Sequence, residues 1–201
     1  MTAIQTFGDS IADSMRLREL YHHCVTTLGL PGDYGDLLRM SMVYCMSALD
    51  KLLHELVVHN MVEIFANRRA ATGKYKSETI SLEHHLVLAS ASLPPPEIVF
   101  EQIVRSKIAH LSFMDPPKLV DALALIWSEE HKWQAIASEM GSNRESVITE
   151  LKNLYRRRNS IVHEIDWDPV SGAKMAILPA DAERAETFIK TLGEAIDRLV
   201  T

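Results

Sequence analysis

Residues 142–169 read SNRESVITELKNLYRRRNSIVHEIDWDP, and their spacing decides the class of fold. On an ideal helix at 100° per residue, with Val147 at 0°, Leu151, Leu154, Ile161 and Ile165 all lie within about 40° of one line. That is the apolar face of a long helix, and a start signal precedes it. Ser142-Asn143-Arg144-Glu145 has the order of a capping box, in which the serine accepts an amide hydrogen three residues on and the glutamate reaches back. Pro169 stops the segment, because proline lacks the amide hydrogen and clashes with the preceding turn.

The same period runs outward from this stretch in both directions. Leu17, Leu20, Tyr21, Cys24 and Leu28 predict a helix over about residues 9–28, ended by Gly29-Leu30-Pro31-Gly32. Leu38, Met42, Cys45, Leu49, Leu52 and Leu56 form the stripe of a long helix from about Asp36 to Asn67. The polar run 67–79 reads as a loop. A short helix follows over about 80–91, and the prolines of LPPPE (93–97) open the next, which carries Phe100, Ile103, Val104, Ile108 and Leu111. Further helices run from Pro116 to Trp127 and over about 130–140. Residues 166–178 read as a turn with a short extended piece. The last helix, about 181–200, uses Ala185, Phe188, Ile189, Leu192, Ile196 and Leu199. The pattern predicts a single all-α helical bundle over residues 1–201, with short connections and no repeats.

Composition agrees with a packed core. Of 201 residues 47% are hydrophobic, with only 8 Gly and 8 Pro, and a chain this long buries about 70% of its unfolded surface. Cys24 and Cys45 lack CxxC or metal spacing and read as reduced core thiols. No basic-plus-apolar leader precedes the first helix, and no apolar run reaches the ~20 residues that span a bilayer. A soluble, cytoplasmic protein is expected. The net charge of −6 argues against a protein that coats nucleic acid by neutralising phosphates. The cations are nonetheless clustered: Arg144, Lys152, Arg156, Arg157 and Arg158 fall in one short span.

Histidine groupings do not add up to a metal site. His54 and His59 flank a sequence like the metalloprotease signature with one residue too many, which sets the imidazoles about 140° apart. The pairs His22-His23 and His84-His85 also point to different faces. No metal and no cofactor are expected.

Arg158 is the residue that the pattern does not absorb. It falls at about 20°, inside the apolar stripe, whereas Arg156 and Arg157 fall outside it and read as solvated cations favoured near a helix C-terminus. A guanidinium on a buried face must be paired or placed at a pocket or interface. One reading is an ion pair to a neighbouring helix, with Asp50 as the candidate. The other is a cation and a titratable imidazole, Arg158 and His163, handling a phosphate.

Arg158-Asn159-Ser160-Ile161-Val162-His163, written RNSIVH, resembles the R-x4-6-H motif of the HEPN superfamily in its RNxxxH form. MSALDKLLHELV (46–57), RSKIAHLSFMDPPKLVDALALIW (105–127) and the HEIDWDP tail (163–169) are similar to the RiboL-PSP type within that group. The likeness covers most of the chain, best over about 36–66 and 97–168. It implies a HEPN-like helical bundle with the motif on the penultimate long helix, working as a homodimer whose two motif copies face each other. It also implies a metal-independent endoribonuclease, with Arg158 and His163 as the catalytic pair and Asn159 orienting His163. Asp50 and Glu55 are further supporting candidates, and Lys152, Arg156 and Arg157 are candidate RNA contacts. A toxin or antiviral defence role, with an antitoxin or regulatory partner, goes with such enzymes. Because HEPN domains also serve as binding modules, the alternative is an inert helical dimer that binds a nucleotide, nucleic acid or partner protein.

Two internal features qualify the likeness. Arg105-Ser106-Lys107-Ile108-Ala109-His110 is a second R-x4-H hexapeptide, but it lacks Asn after Arg and sits on another helix. Where nucleotidylated HEPN toxins carry Tyr two residues after the histidine, this chain has Ile165, so regulation through that tyrosine is not expected.

Overall fold

The computed structural model describes residues 2–201 and is all-α apart from one minimal hairpin. In chain order the helices are α1 (Ala3–His22), α2 (Gly35–Phe65), α3 (Gly73–Ser77), α4 (Leu82–Ser90), α5 (Pro96–Ile108), α6 (Pro116–Leu123), α7 (Lys132–Glu139), α8 (Arg144–Glu164) and α9 (Pro179–Val200). Strands β1 (Trp167–Asp168) and β2 (Ala173–Lys174) pair antiparallel between α8 and α9. Among the described residues no helix is long and apolar enough to cross a membrane.

The chain divides into two compact units. The first holds α1, α2 up to Leu52, the chain from Trp133 through α8, the hairpin, and α9 as far as Leu199. Its buried side chains include Phe7, Ile11, Leu38, Met42, Cys45, Leu49, Ile136, Val147, Leu151, Leu154, Ile189, Leu192 and Ile196. At Gly193 α9 packs tightly against α1 and α2. A Cβ there would sit 2.4 Å from the Phe7 ring and 3.1 Å from Leu52 Cδ2. The second unit, Leu53–Lys132 with Val200, buries Leu53, Leu56, Val57, Met61, Ile64, Phe100, Ile103, Val104, Ile108, Phe113, Leu119 and Leu123. There Phe65 stacks on Phe100 with ring centroids 4.3 Å apart.

Three local starts differ from the sequence expectation. Helix α1 begins at Ala3 rather than near residue 9, because Thr2 and Gln5 form a reciprocal capping box. At its far end the helix widens into a π-turn over His23–Thr27, which leaves Cys24 only half-buried. Helix α8 is capped by Asn143, whose Oδ1 accepts the Ser146 amide at 2.8 Å, and not by Ser142. Ser142 is already committed. Its amide donates to Ala137 O at 2.8 Å past Gly141 at φ +63°, the reverse turn that closes α7. The 67–79 loop contains the five-residue α3, capped by buried Thr72.

Candidate active site

Helix α8 carries RNSIVH through its last turns. Val147, Leu151 and Leu154 are buried as the stripe requires, and Ile161 is half-buried. Ile165 is not: the helix stops at Glu164, and Ile165 takes φ +55° and is 67% exposed. Asp166 follows at φ +58°, its amide donating to Ser160 O at 3.0 Å and its carbonyl accepting the Met175 amide at 2.8 Å. Two successive left-handed residues, neither of them glycine, turn the chain back so that Asp166 is wholly buried.

Asp166 organises a buried cluster that the periodicity gave no sign of. Its Oδ2 accepts Arg39 Nε at 2.8 Å and Arg157 Nη2 at 2.6 Å. Arg39, 5% exposed on the first turns of α2, also donates to Met175 O at 2.6 Å and Asp36 Oδ1 at 3.2 Å. Arg157 adds the carbonyl of Ala176 at 3.1 Å. Lys174 donates to both oxygens of Asp36 at 2.8 Å, and this contact, foremost its hydrogen bond, holds the Asp36 carboxyl below its usual range. Arg157 is therefore not the solvated cation that its helical angle suggested. Its guanidinium is used up on Asp166 and two carbonyls, which leaves little of it for an RNA phosphate.

Arg158 is in the opposite condition. Its side chain is half-buried, its Nη1 donates to Asn159 Oδ1 at 3.1 Å, and its covered Nε has no partner among the described residues. The ion pair to Asp50 is not formed; Asp50 is half-buried on α2. Asn159 thus steadies Arg158 rather than His163. His163 is exposed on the last turn of α8. Lys152 and Arg156 are exposed as well and make no ion pair among the described residues. On helical angles Lys152, Arg156, Asn159 and His163 share a flank between about 120° and 180° from Val147.

Glu55 lies in the second unit and accepts both terminal nitrogens of Arg105, at 3.1 and 2.8 Å. Arg105 also donates through Nε to Glu101 at 2.8 Å, so its two carboxylates, Glu55 first, push its guanidinium to still higher pKa. His54 stacks on Phe113 with centroids 4.4 Å apart, its Nε2 3.2 Å from Ile108 O. Among the described residues no three His, Cys, Asp or Glu side chains are grouped as a metal ion requires. Compared with known proteins, the chain matches no family model, no curated protein and no solved structure.

Arg39 carried no signal in the sequence, and Asp166 and Trp167 entered only as part of the HEIDWDP tail. The first two are buried charges whose partners lie 127 positions apart. The only available signal was the aspartate beside a tryptophan in a stretch too polar for helix.

Proposed function

We propose that the chain is a metal-independent endoribonuclease that cuts RNA through Arg158 and His163, with a second copy of the chain completing the site. One observation carries this reading. A guanidinium with an unpartnered, covered Nε lies one and a half turns and about 140° round from an exposed imidazole, on the helix whose RNSIVH motif resembles the HEPN superfamily, so that the two meet on one phosphate through the long reach of the arginine or across a two-fold contact. A half-covered guanidinium that no carboxylate neutralises favours an anion at its terminal nitrogens. A phosphodiester supplies that anion.

His163 takes the proton from the ribose 2′-hydroxyl, or returns one to the 5′-oxygen that leaves. The partner copy of His163 fills the other role, since one imidazole cannot do both in a single step. Arg158, steadied by Asn159, meets the charge that builds on the phosphoryl oxygens. Attack by the 2′-oxygen breaks the P–O5′ bond and leaves a 2′,3′-cyclic phosphate and a 5′-hydroxyl. Val162 and Ile165, 44% and 67% exposed beside His163, supply apolar surface for the two-fold contact. A toxin or defence enzyme in the cytoplasm, held by a regulatory partner, is the setting that fits.

The decisive experiment incubates purified protein with mixed RNA in EDTA and identifies the ends. Cleavage with cyclic phosphate termini supports the proposal. Cleavage only after Mg²⁺ or Mn²⁺ is added back overturns the mechanism. No cleavage of several RNAs leaves the inert binding dimer.

A further inference from the structure

Trp167 opens the hairpin three residues beyond the end of α8, and its indole is 51% exposed. The residue beneath it is tied into the core. The preceding residue, Asp166, is wholly buried, tied by two arginines through its carboxylate and by Ser160 and Met175 through its main chain. The strand it belongs to pairs Trp167 with Lys174, whose ammonium is held by Asp36. No aromatic ring and no cation of the described residues stacks on this indole, whereas Trp127 carries Lys132 over its ring.

Its neighbourhood is cationic in an acidic protein. Residues 152–174 hold five lysines and arginines against three carboxylates. Two of the five, Arg157 and Lys174, are engaged by carboxylates, which leaves Lys152, Arg156 and Arg158 for an anion. Lys152 and Arg156 share their flank of α8 with His163, and Lys152 lies about 17 Å along the axis from it. Trp167 is four residues past His163, so the two Cα atoms are within about 14 Å. Two exposed cations and an imidazole thus share one flank of α8, and an unoccupied aromatic plane lies within four residues of its end.

We infer that Trp167 is a stacking platform for an unpaired base next to the phosphate at His163, which makes the substrate single-stranded RNA lying along the Lys152–Arg156–His163 flank. The inference rests on the ribonuclease reading and gives it a substrate class. Aromatic side chains stack on any base with its face free, whereas bases inside a duplex are already stacked. A basic strip alone does not make that distinction, because both kinds of RNA carry phosphates.

The test uses an oligouridine with 2′-O-methyl groups, which binds but cannot be cut, and the same strand annealed to its complement. Tryptophan emission is followed in the parent and in Trp167→Phe, where only Trp127 and Trp133 still emit. The single strand should quench the Trp167 component and the duplex should not. With cleavable single-stranded RNA, Trp167→Ala should raise KM about ten- to a hundredfold, and Trp167→Phe should recover most of it. An unchanged KM in Trp167→Ala, or equal quenching by duplex, overturns the platform. So does a Trp167→Ala protein that binds the strand as the parent does but scatters light as a monomer, which assigns the indole to a protein contact. Quenching by the uncleavable strand without cleavage of its 2′-hydroxyl counterpart keeps the platform and removes the nuclease. Cleavage with parental KM in Trp167→Ala does the reverse.

Discussion

The chain contains two hexapeptides of the form R-x4-H, one at the end of α5 and one near the end of α8, and they have opposite surroundings. Arg105 is saturated: Glu55 takes both terminal nitrogens and Glu101 takes Nε. Arg158 holds one side-chain amide and has a covered Nε with no partner. The spacing of the two segments is the same, so spacing is not what marks a site. What differs is whether the protein itself neutralises the arginine. A guanidinium held by two carboxylates has its charge neutralised within the protein, and one with none is left open to an anion from outside.

The largest expected effect breaks or upholds this contrast directly. His163→Ala should lower the rate of RNA cleavage by about 10²–10⁴-fold, the share of a general acid–base group. His110→Ala should leave it near the parent value. Helicity should be unchanged in both, because each imidazole is exposed. Gel-resolved cleavage rates of the three proteins decide the matter, and an active His163→Ala beside a dead His110→Ala reverses the assignment.

Next comes a comparison between neighbouring arginines. Asp166→Ala strips buried Arg39 and half-buried Arg157 of their shared carboxylate and should cost about 3–5 kcal/mol of stability, read from the urea midpoint. A loss under about 1 kcal/mol would mean that this cluster is not what anchors the end of α8. A smaller gain should come from the turn itself. Ile165 is a β-branched residue at φ +55° with its side chain mostly in water. Ile165→Gly should therefore raise stability by about 1 kcal/mol, by relief of left-handed strain. A lowered melting temperature would show that the exposed isoleucine is covered by something else, for instance a second copy.

The smallest effect belongs to the saturated site. Glu55→Gln should change stability by less than about 1 kcal/mol, because Arg105 is 44% exposed and keeps Glu101. Cleavage should stay at the parent rate. A large loss of activity would bring the α5 hexapeptide back into contention.

Much of the fold was legible in the one-dimensional pattern. The stripe Leu38, Met42, Cys45, Leu49, Leu52, Leu56 marked α2 to within a few residues, and Val147, Leu151, Leu154 marked the face of α8. Errors gathered at helix ends, where short-range signals compete. Ser142 could serve α7 or α8, and the reverse turn at Gly141 claimed it. Glu55 lay on a helix as expected, and its carboxylate takes Arg105 of the second R-x4-H hexapeptide.

By itself the sequence determined that the protein is all-α, that RNSIVH lies on the penultimate helix, and that Arg158 falls on the apolar side of it. Those features depend on residues three or four apart, whose geometry an α-helix imposes without outside help. Tertiary structure alone decided which arginine is satisfied. Arg157 and Arg158 are adjacent on the chain and about 100° apart around the helix. The buried charge that separates their fates, Asp166, is delivered by a left-handed turn at Ile165 that no glycine announces, and it is shared with Arg39 from the far end of the chain. Ion pairs of that kind are settled by which surfaces fold against each other, and no local spacing encodes them.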